Sequence, residues 1–176
     1  DDRHQGGLVN RRILVLGSGD IGSAVAHLLF LHGIDVVLAD TPAPAHPRRG
    51  MAFTDAWFGG RATLDGVVAL LVADVEDLVR HLATTETIPC TAAPIDTVAN
   101  TMRPDALVDA RMRKRAVSED LRALAAVVIG LGPGFTPGCN CTAAIEAAWG
   151  DDLGVVLADP PAAALAGEPR AIGGAG

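Results

Sequence analysis

Tyrosine is absent from this 176-residue chain, and phenylalanine and tryptophan together bring the aromatic share to only 3%. Single-stranded nucleic acid is gripped by stacking its bases on aromatic side chains, so that class of partner has little to rest on. An excess of positive charge is missing as well: 14 Lys and Arg face 21 Asp and Glu, for a formal net charge of -7. A protein that binds a phosphate backbone carries a basic face, which argues against nucleic acid in general. Cysteine is scarce. Cys90, Cys139 and Cys141 are an odd number without the spacing of a disulfide framework, and a reducing, cytoplasmic compartment is the expectation. Long apolar runs are lacking too; the longest, near "GVVALLVADV", is far short of the ~20 residues that span a bilayer. The opening "DDRHQGGLVN" has no basic-then-apolar signal pattern, and residues 1–10 and 171–176 are expected to be flexible tails.

What is present is a 49% hydrophobic composition dominated by small aliphatic side chains, enough for one domain over residues 11–170. "ILVLG" (Ile13–Gly17) is a short continuous apolar run, as a strand buried on both faces requires. Asp20 to His32 follows with helical spacing, Ile21, Val25, Leu28, Leu29 and His32 forming one stripe, and Gly33 stops it. "DVVLAD" (Asp35–Asp40) is a second buried strand, which completes a βαβ unit. The proline-bearing loop "TPAPAHPRRG" leads to "MAFTDAWFGG", read as a short helix ended by Gly59 and Gly60. Further on, "ATLDGVVALLVA" reads as extended near Val67–Ala73, and "DVEDLVRHLA" as an amphipathic helix opened by Asp74. "IPCTAA", "DALVDA", "AAVVIG" (Ala125–Gly130) and "DLGVVLADP" (Asp152–Pro160) supply more strands. Short strands alternating with helices predict an α/β fold: a Rossmann-like, open and mostly parallel sheet with helices on both faces.

Chemistry concentrates in a few places. Gly17, Gly19 and Gly22 match G-x-G-x-x-G between strand and helix, where a tight turn and a helix N-terminus suit a phosphate; Ser18, Asp20 and Ile21 complete that turn. Asp40 ends the second strand 18 residues beyond Gly22, near the spacing of a carboxylate that binds ribose hydroxyls. Asp20 either supports the helix start or repels a diphosphate. Arg48 and Arg49 have the forked geometry for a phosphate or carboxylate, or are a solvated loop pair. With Asp40 and these arginines close in sequence, NAD and NADP both stay open. The second glycine loop, "GLGPGFTPG", offers Gly130, Gly132, Gly134, Phe135 and Thr136, and it is either an anion nest or a loop tightened for packing. "VDARMRKR" delivers Arg111, Arg113, Lys114 and Arg115 behind Asp109, facing an anionic ligand or solvent. No metal site is expected: the C-x-C pair lacks a matching cluster, and His4, His27, His32, His46 and His81 have no ligand spacing.

These stretches together resemble an accessory family of selenium-dependent molybdenum hydroxylase systems, related to maturation factors for xanthine and carbon monoxide dehydrogenases. The resemblance is carried by "GSGDIGSAVAHLL", "PRRGMAFTDAWFGG", "LVDARMRKR" and "VIGLGPGFTPG", with "CTAAIEAAWGDDLGVVL" weaker, in order over nearly the whole chain. "GLGPGF" and R-R-x-x-A-F are its more specific parts. Two features depart from the family pattern: "GDIGSA" stands where a threonine-glycine pair is expected, and family members usually continue beyond "EPRAIGG". The resemblance implies a role in maturing a molybdenum hydroxylase, with a nucleotide or a molybdopterin-type cofactor, including its cytosine dinucleotide form, as ligand. It points to Gly17, Gly19, Gly22, Arg48, Arg49, Asp109, Arg111, Lys114 and the Gly130–Gly138 loop, with a hydroxylase apoenzyme as partner. The alternative is a small NAD(P)-dependent oxidoreductase whose site a homodimer would complete, since little chain is left for a substrate domain and no Tyr is available as a proton donor.

Overall fold

β1 (Arg12–Leu16) is the centre of the sheet because Leu14, Val15 and Leu16 form an unbroken apolar run that is buried on both faces. The computed structural model describes residues 11–45, 48–113 and 118–158. On one side β1 pairs in parallel with β2 (Asp35–Ala39), and on the other with β6 (Ala106–Asp109). β3 (Arg61–Leu64), β4 (Val67–Leu71) and β5 (Ile88–Thr91) extend the sheet beyond β2. β7 (Val127–Leu131), β8 (Ala143–Ile145) and β9 (Val156–Ala158) extend it beyond β6. The nine strands run in the order β3-β4-β5-β2-β1-β6-β7-β8-β9. All pairs are parallel except the two outermost, β3 with β4 and β8 with β9.

Strand alternation divides the core between two layers. Val15, Val36, Leu38 and Val108 face α1 (Asp20–Leu31) and α2 (Asp55–Gly59), joined by Ala26, Phe30, Phe53 and Ala56. Leu14, Leu16, Val37 and Leu107 face the opposite way, towards α3 (Val75–Thr84) and α4 (Ile95–Met102), against Leu78, Val98 and Met102. Helices therefore cover both faces of a mostly parallel sheet, the Rossmann-like α/β architecture expected from the sequence.

The structure refines three local readings. The buried residues of α1 are Gly22, Ser23, Ala26 and Phe30; of the apolar stripe, Val25 and Leu29 are half-buried against the core, while Ile21 and Leu28 stand 44% and 58% exposed. Small residues win the inner face because they let the helix approach the sheet closely. The strand read near Val67–Ala73 is β4, but a second strand, β3, precedes it in the same stretch: Asp65 and Gly66 both take positive φ, as a two-residue hairpin turn demands. α4 and β8 had no counterpart in the sequence reading. Asp74 does cap α3, accepting from the Asp77 amide at 2.8 Å. The tails assigned to residues 1–10 and 171–176 lie outside the described residues.

Candidate functional site

The sheet changes direction of growth at β1 and β6, and the carboxyl ends of those two strands define the crevice where open α/β sheets take their ligands. Most of the residues singled out in the sequence arrive there. The turn after β1 begins at Gly17, which has φ +98° and donates its amide to the Ala39 carbonyl at 2.8 Å. A side chain at Gly17 would press on the backbone of Ala110 and Arg111, just past β6. One at Gly22 would overlap the Gly17 carbonyl. Both glycines are therefore demanded by packing. Gly19 is different: its φ is -67°, and a Cβ there would meet nothing within 4 Å. It is the N-cap of α1, with no side-chain cap. The amides of the first turn that follows have no acceptors within the helix.

Ser18, fully buried, is the knot that holds this turn. Its amide and hydroxyl donate to Asp40 Oδ2 at 2.6 and 2.7 Å, and its carbonyl accepts from the Ser23 hydroxyl at 2.7 Å and from the Thr54 hydroxyl. Ser23 Oγ in turn accepts from the Phe53 amide at 2.8 Å. Asp40 Oδ1 accepts from the Thr41 amide at 2.7 Å. The carboxylate expected to bind ribose hydroxyls thus has both oxygens engaged by the protein, where it braces the turn. Ser23 and Thr54 were not singled out in the sequence; hydroxyls that serve buried backbone leave no spacing signal.

The same fastening brings Arg48 to the turn. Its guanidinium lies 3.5 Å from Asp20, in the first turn of α1, and both side chains are largely open to solvent. Arg49 is exposed beside it. Gly50 donates its amide to Asp55 at 2.6 Å, and Phe53 and Thr54 are tied to the glycine turn, so the segment carrying the arginines is anchored on its C-terminal side. Ile21 is exposed next to this pair.

Beyond β6 the basic run has found partners. Asp109, 1% exposed, receives Arg111 through Nε at 2.9 Å and through a second guanidinium nitrogen. Glu119 receives Arg111 at 2.7 Å and Arg113 at 2.6 Å. Burial works to raise the Glu119 pKa, but hydrogen bonds from Arg113, from its own backbone and from Arg111 outweigh it and hold the carboxyl at about 2. Burial likewise works to lower the Arg111 pKa, and Asp109 and then Glu119 reverse the sign, so that it is raised. Two cations and two anions cancel here, and the group is a strut that fastens the 118–122 segment to the end of β6. Glu119 was missed in the sequence, although an acid following a basic burst was the available signal. Lys114 lies outside the described residues.

The second glycine loop reaches the same sheet edge from β7, with the Ala110–Met112 segment between it and the first turn. Gly130 is required because the Phe135 ring lies where its Cβ would be. Gly132 rests against Met112 and donates to the Ile145 carbonyl at 2.9 Å. The Thr136 amide donates to Asn140 Oδ1 at 2.8 Å, while Asn140 Nδ2 donates to the Ser118 and Gly134 carbonyls at 2.9 Å each. Gly138 donates to the Cys141 carbonyl. The amides of Gly132, Thr136 and Gly138 are spent on the Ile145 carbonyl, the Asn140 side chain and the Cys141 carbonyl, so at these positions the loop is a wall of the crevice and not an anion nest. Asn140, hidden between two cysteines in "CNC", is its anchor. Cys139 is exposed and Cys141 buried, and burial pushes the Cys141 thiol up to about 11. Among the described residues, no group of three or more His, Cys, Asp or Glu is placed to hold a metal ion. His27 stacks on Phe53 with centroids 6.4 Å apart, a packing role.

Fold and turn together define a Rossmann-like α/β protein with a glycine turn at its topological switch point. No family model and no solved structure matches the chain. It is similar to a protein of Escherichia coli (strain K12) described as Uncharacterized protein YqeB, at 35% identity over 146 residues. Those residues are 82% of this chain and 26% of YqeB, so the chain spans about a quarter of that relative's length. No helix among the described residues is long and apolar enough to cross a membrane.

Proposed function

We propose that the protein is a cytoplasmic accessory factor in the maturation of a molybdenum hydroxylase, and that it binds a phosphate-bearing cofactor, a nucleotide or a molybdopterin-type molecule, at the turn Gly17–Gly22. The observation that carries this reading is Gly19. Its two companions in the motif are explained by contacts within the protein, whereas Gly19 has an ordinary backbone conformation and open space in front of it. A glycine that the fold does not need is the residue expected where a ligand's phosphate must come close to backbone amides at a helix N-terminus. Arg48 stands beside that point to meet the anion, and the body of the ligand extends over Ala110–Met112 towards Phe135 and the second glycine loop. The order of motifs resembling the accessory family supports the maturation role, with a hydroxylase apoenzyme as partner. Free cysteines support the reducing compartment.

The competing reading, an NAD(P)-dependent oxidoreductase completed by a homodimer, rests on the same glycine motif and on Asp40 at the end of β2. Because Asp40 is committed to Ser18 and Thr41, it is the weaker of the two. A thermal-shift panel of molybdopterin, its cytosine dinucleotide, CTP, ATP, NAD and NADP separates them, since a ligand specific to the native state raises Tm by mass action. Stabilisation by a pterin or cytidine ligand supports the maturation reading. Stabilisation by NAD or NADP alone overturns it, and no shift with any ligand refutes both.

A further inference from the structure

The two borders of the sheet are finished differently. β3 closes one side with Arg61 and Thr63 exposed, and charged or polar side chains are what keep an edge strand from pairing with another chain. β9 closes the other side with Val156 and Ala158 exposed and no charge in the strand. The β8–β9 connection adds Trp149, 87% exposed, together with Leu153 and Val155. One of the two tryptophans in the chain thus stands in water, on a hairpin whose shape is fixed. Glu146 Oε1 accepts the Ala147 and Ala148 amides at 2.8 Å each. Gly154 donates to the Glu146 carbonyl at 2.9 Å, and the Glu146 amide donates to the Val155 carbonyl at 3.0 Å. A fixed apolar surface built around an aromatic is the usual centre of a protein interface, because it buries area at little cost in side-chain entropy.

Charge decides what covers it. Between Glu146 and Ala158 the hairpin holds three acids, Glu146, Asp151 and Asp152, and no Lys or Arg. Asp151 and Asp152 are exposed, and their carboxylates have no partner among the described residues. A second copy would bring the same acids to the interface, on a chain whose net charge is already -7. The residues that follow β9, 159–176, hold one Arg against one Asp and one Glu, so they bring no compensating charge either. An apolar segment that bears Lys or Arg supplies what both lack. Three residues of edge backbone offer few hydrogen bonds, so apolar contact and charge carry the recognition.

We propose that the β8–β9 hairpin is a docking surface for a basic, apolar segment of another protein. The segment lies along β9 as an added strand, covers Trp149 and sets its cations against Asp151 and Asp152. This surface is separate from the glycine turn and stands whether or not that turn holds a phosphate.

The probe is a short peptide of alternating lysine and valine, titrated into the full chain. A glutamate–valine peptide controls for charge and a lysine–serine peptide for apolar contact. The readouts are the indole resonance of Trp149 and the amide resonances of Val156, Leu157 and Ala158. The lysine–valine peptide shifts them saturably, with affinity at least about tenfold above either control. Asp151→Asn combined with Asp152→Asn weakens it by about fivefold and flattens its salt dependence, as loss of two exposed charges allows. Trp149→Ser weakens it by about tenfold, and Tm is unchanged because the side chain is exposed. If the lysine–valine peptide moves none of these resonances, or binds no better than the lysine–serine peptide, the docking surface is refuted. Sedimentation of the free chain tests the other occupants. A dimer that Trp149→Ser dissociates assigns the surface to a second copy. A Trp149 indole already shielded from solvent in the monomer, and freed by deletion of residues 159–176, assigns it to the chain's own end. Either result overturns the proposal.

Discussion

Glycines that share a motif need not share a reason. Gly22→Ala is expected to cost at least about 2 kcal/mol, because the added carbon meets a backbone carbonyl that has no room to move. Gly19→Ala is expected to change stability by less than about 1 kcal/mol, the scale of an N-cap substitution, while removing ligand binding. Chemical denaturation of the two variants measures the contrast. Charge at the end of β6 gives a second prediction. Arg111→Met leaves the buried Asp109 with the residue-111 amide and, as its one cation among the described residues, Arg113 at 3.8 Å, and should destabilise by roughly 3 kcal/mol in the same denaturation experiment. Glu119 adds a pH dependence whose sign follows from its lowered pKa. Its stabilisation is complete above the ordinary value of 4.5 and disappears as pH falls towards about 2. Glu119→Gln should flatten the stability profile across that window, by an amount limited by solvent exposure of the pair. Residue roles were unevenly legible in the sequence. Gly17, Gly22 and Asp40 were found by spacing, and the tight turn that the two glycines build was read with them; the brace that Asp40 gives Ser18 was not, because spacing does not say which atoms face a carboxylate.

Helices and strands were read most reliably where one physical signal dominated. β1 and β2 followed from apolar runs, and α3 from its Asp74 cap together with a polar outer face. α1 was found, but its apolar stripe is only partly inward: Val25 and Leu29 pack against the core, while close packing gives the innermost places to Gly22, Ser23 and Ala26 and leaves Ile21 and Leu28 exposed. β4 was read near Val67–Ala73, but its partner β3 was not: "RATL" is short and half polar and does not stand out beside the apolar run that follows the Asp-Gly turn. The second glycine loop depends on a side chain outside its glycines. Asn140→Ala should release the Thr136 amide and two carbonyls at once, costing about 1–3 kcal/mol and speeding hydrogen exchange at Thr136 while exchange in β1 stays unchanged. Equal acceleration in both places would mean that Asn140 supports the whole fold and not the loop.

For the molecule as a whole, the doubly wound sheet gathers the β1 turn, Asp40, Asp109 and the β7 loop along one edge, although they lie far apart in the chain. That gathering was foreseeable from alternating strands and helices. The antiparallel borders were not, since a strand's direction at a sheet edge is set by short turns and not by its own composition. The central claim is that Gly19 is kept for a ligand. Calorimetric titration of molybdopterin into the natural protein and into Gly19→Ala, with both shown to melt alike, tests it most directly. Saturable binding that is lost in Gly19→Ala is the predicted result; binding of equal strength to both proteins, or to neither, would contradict it.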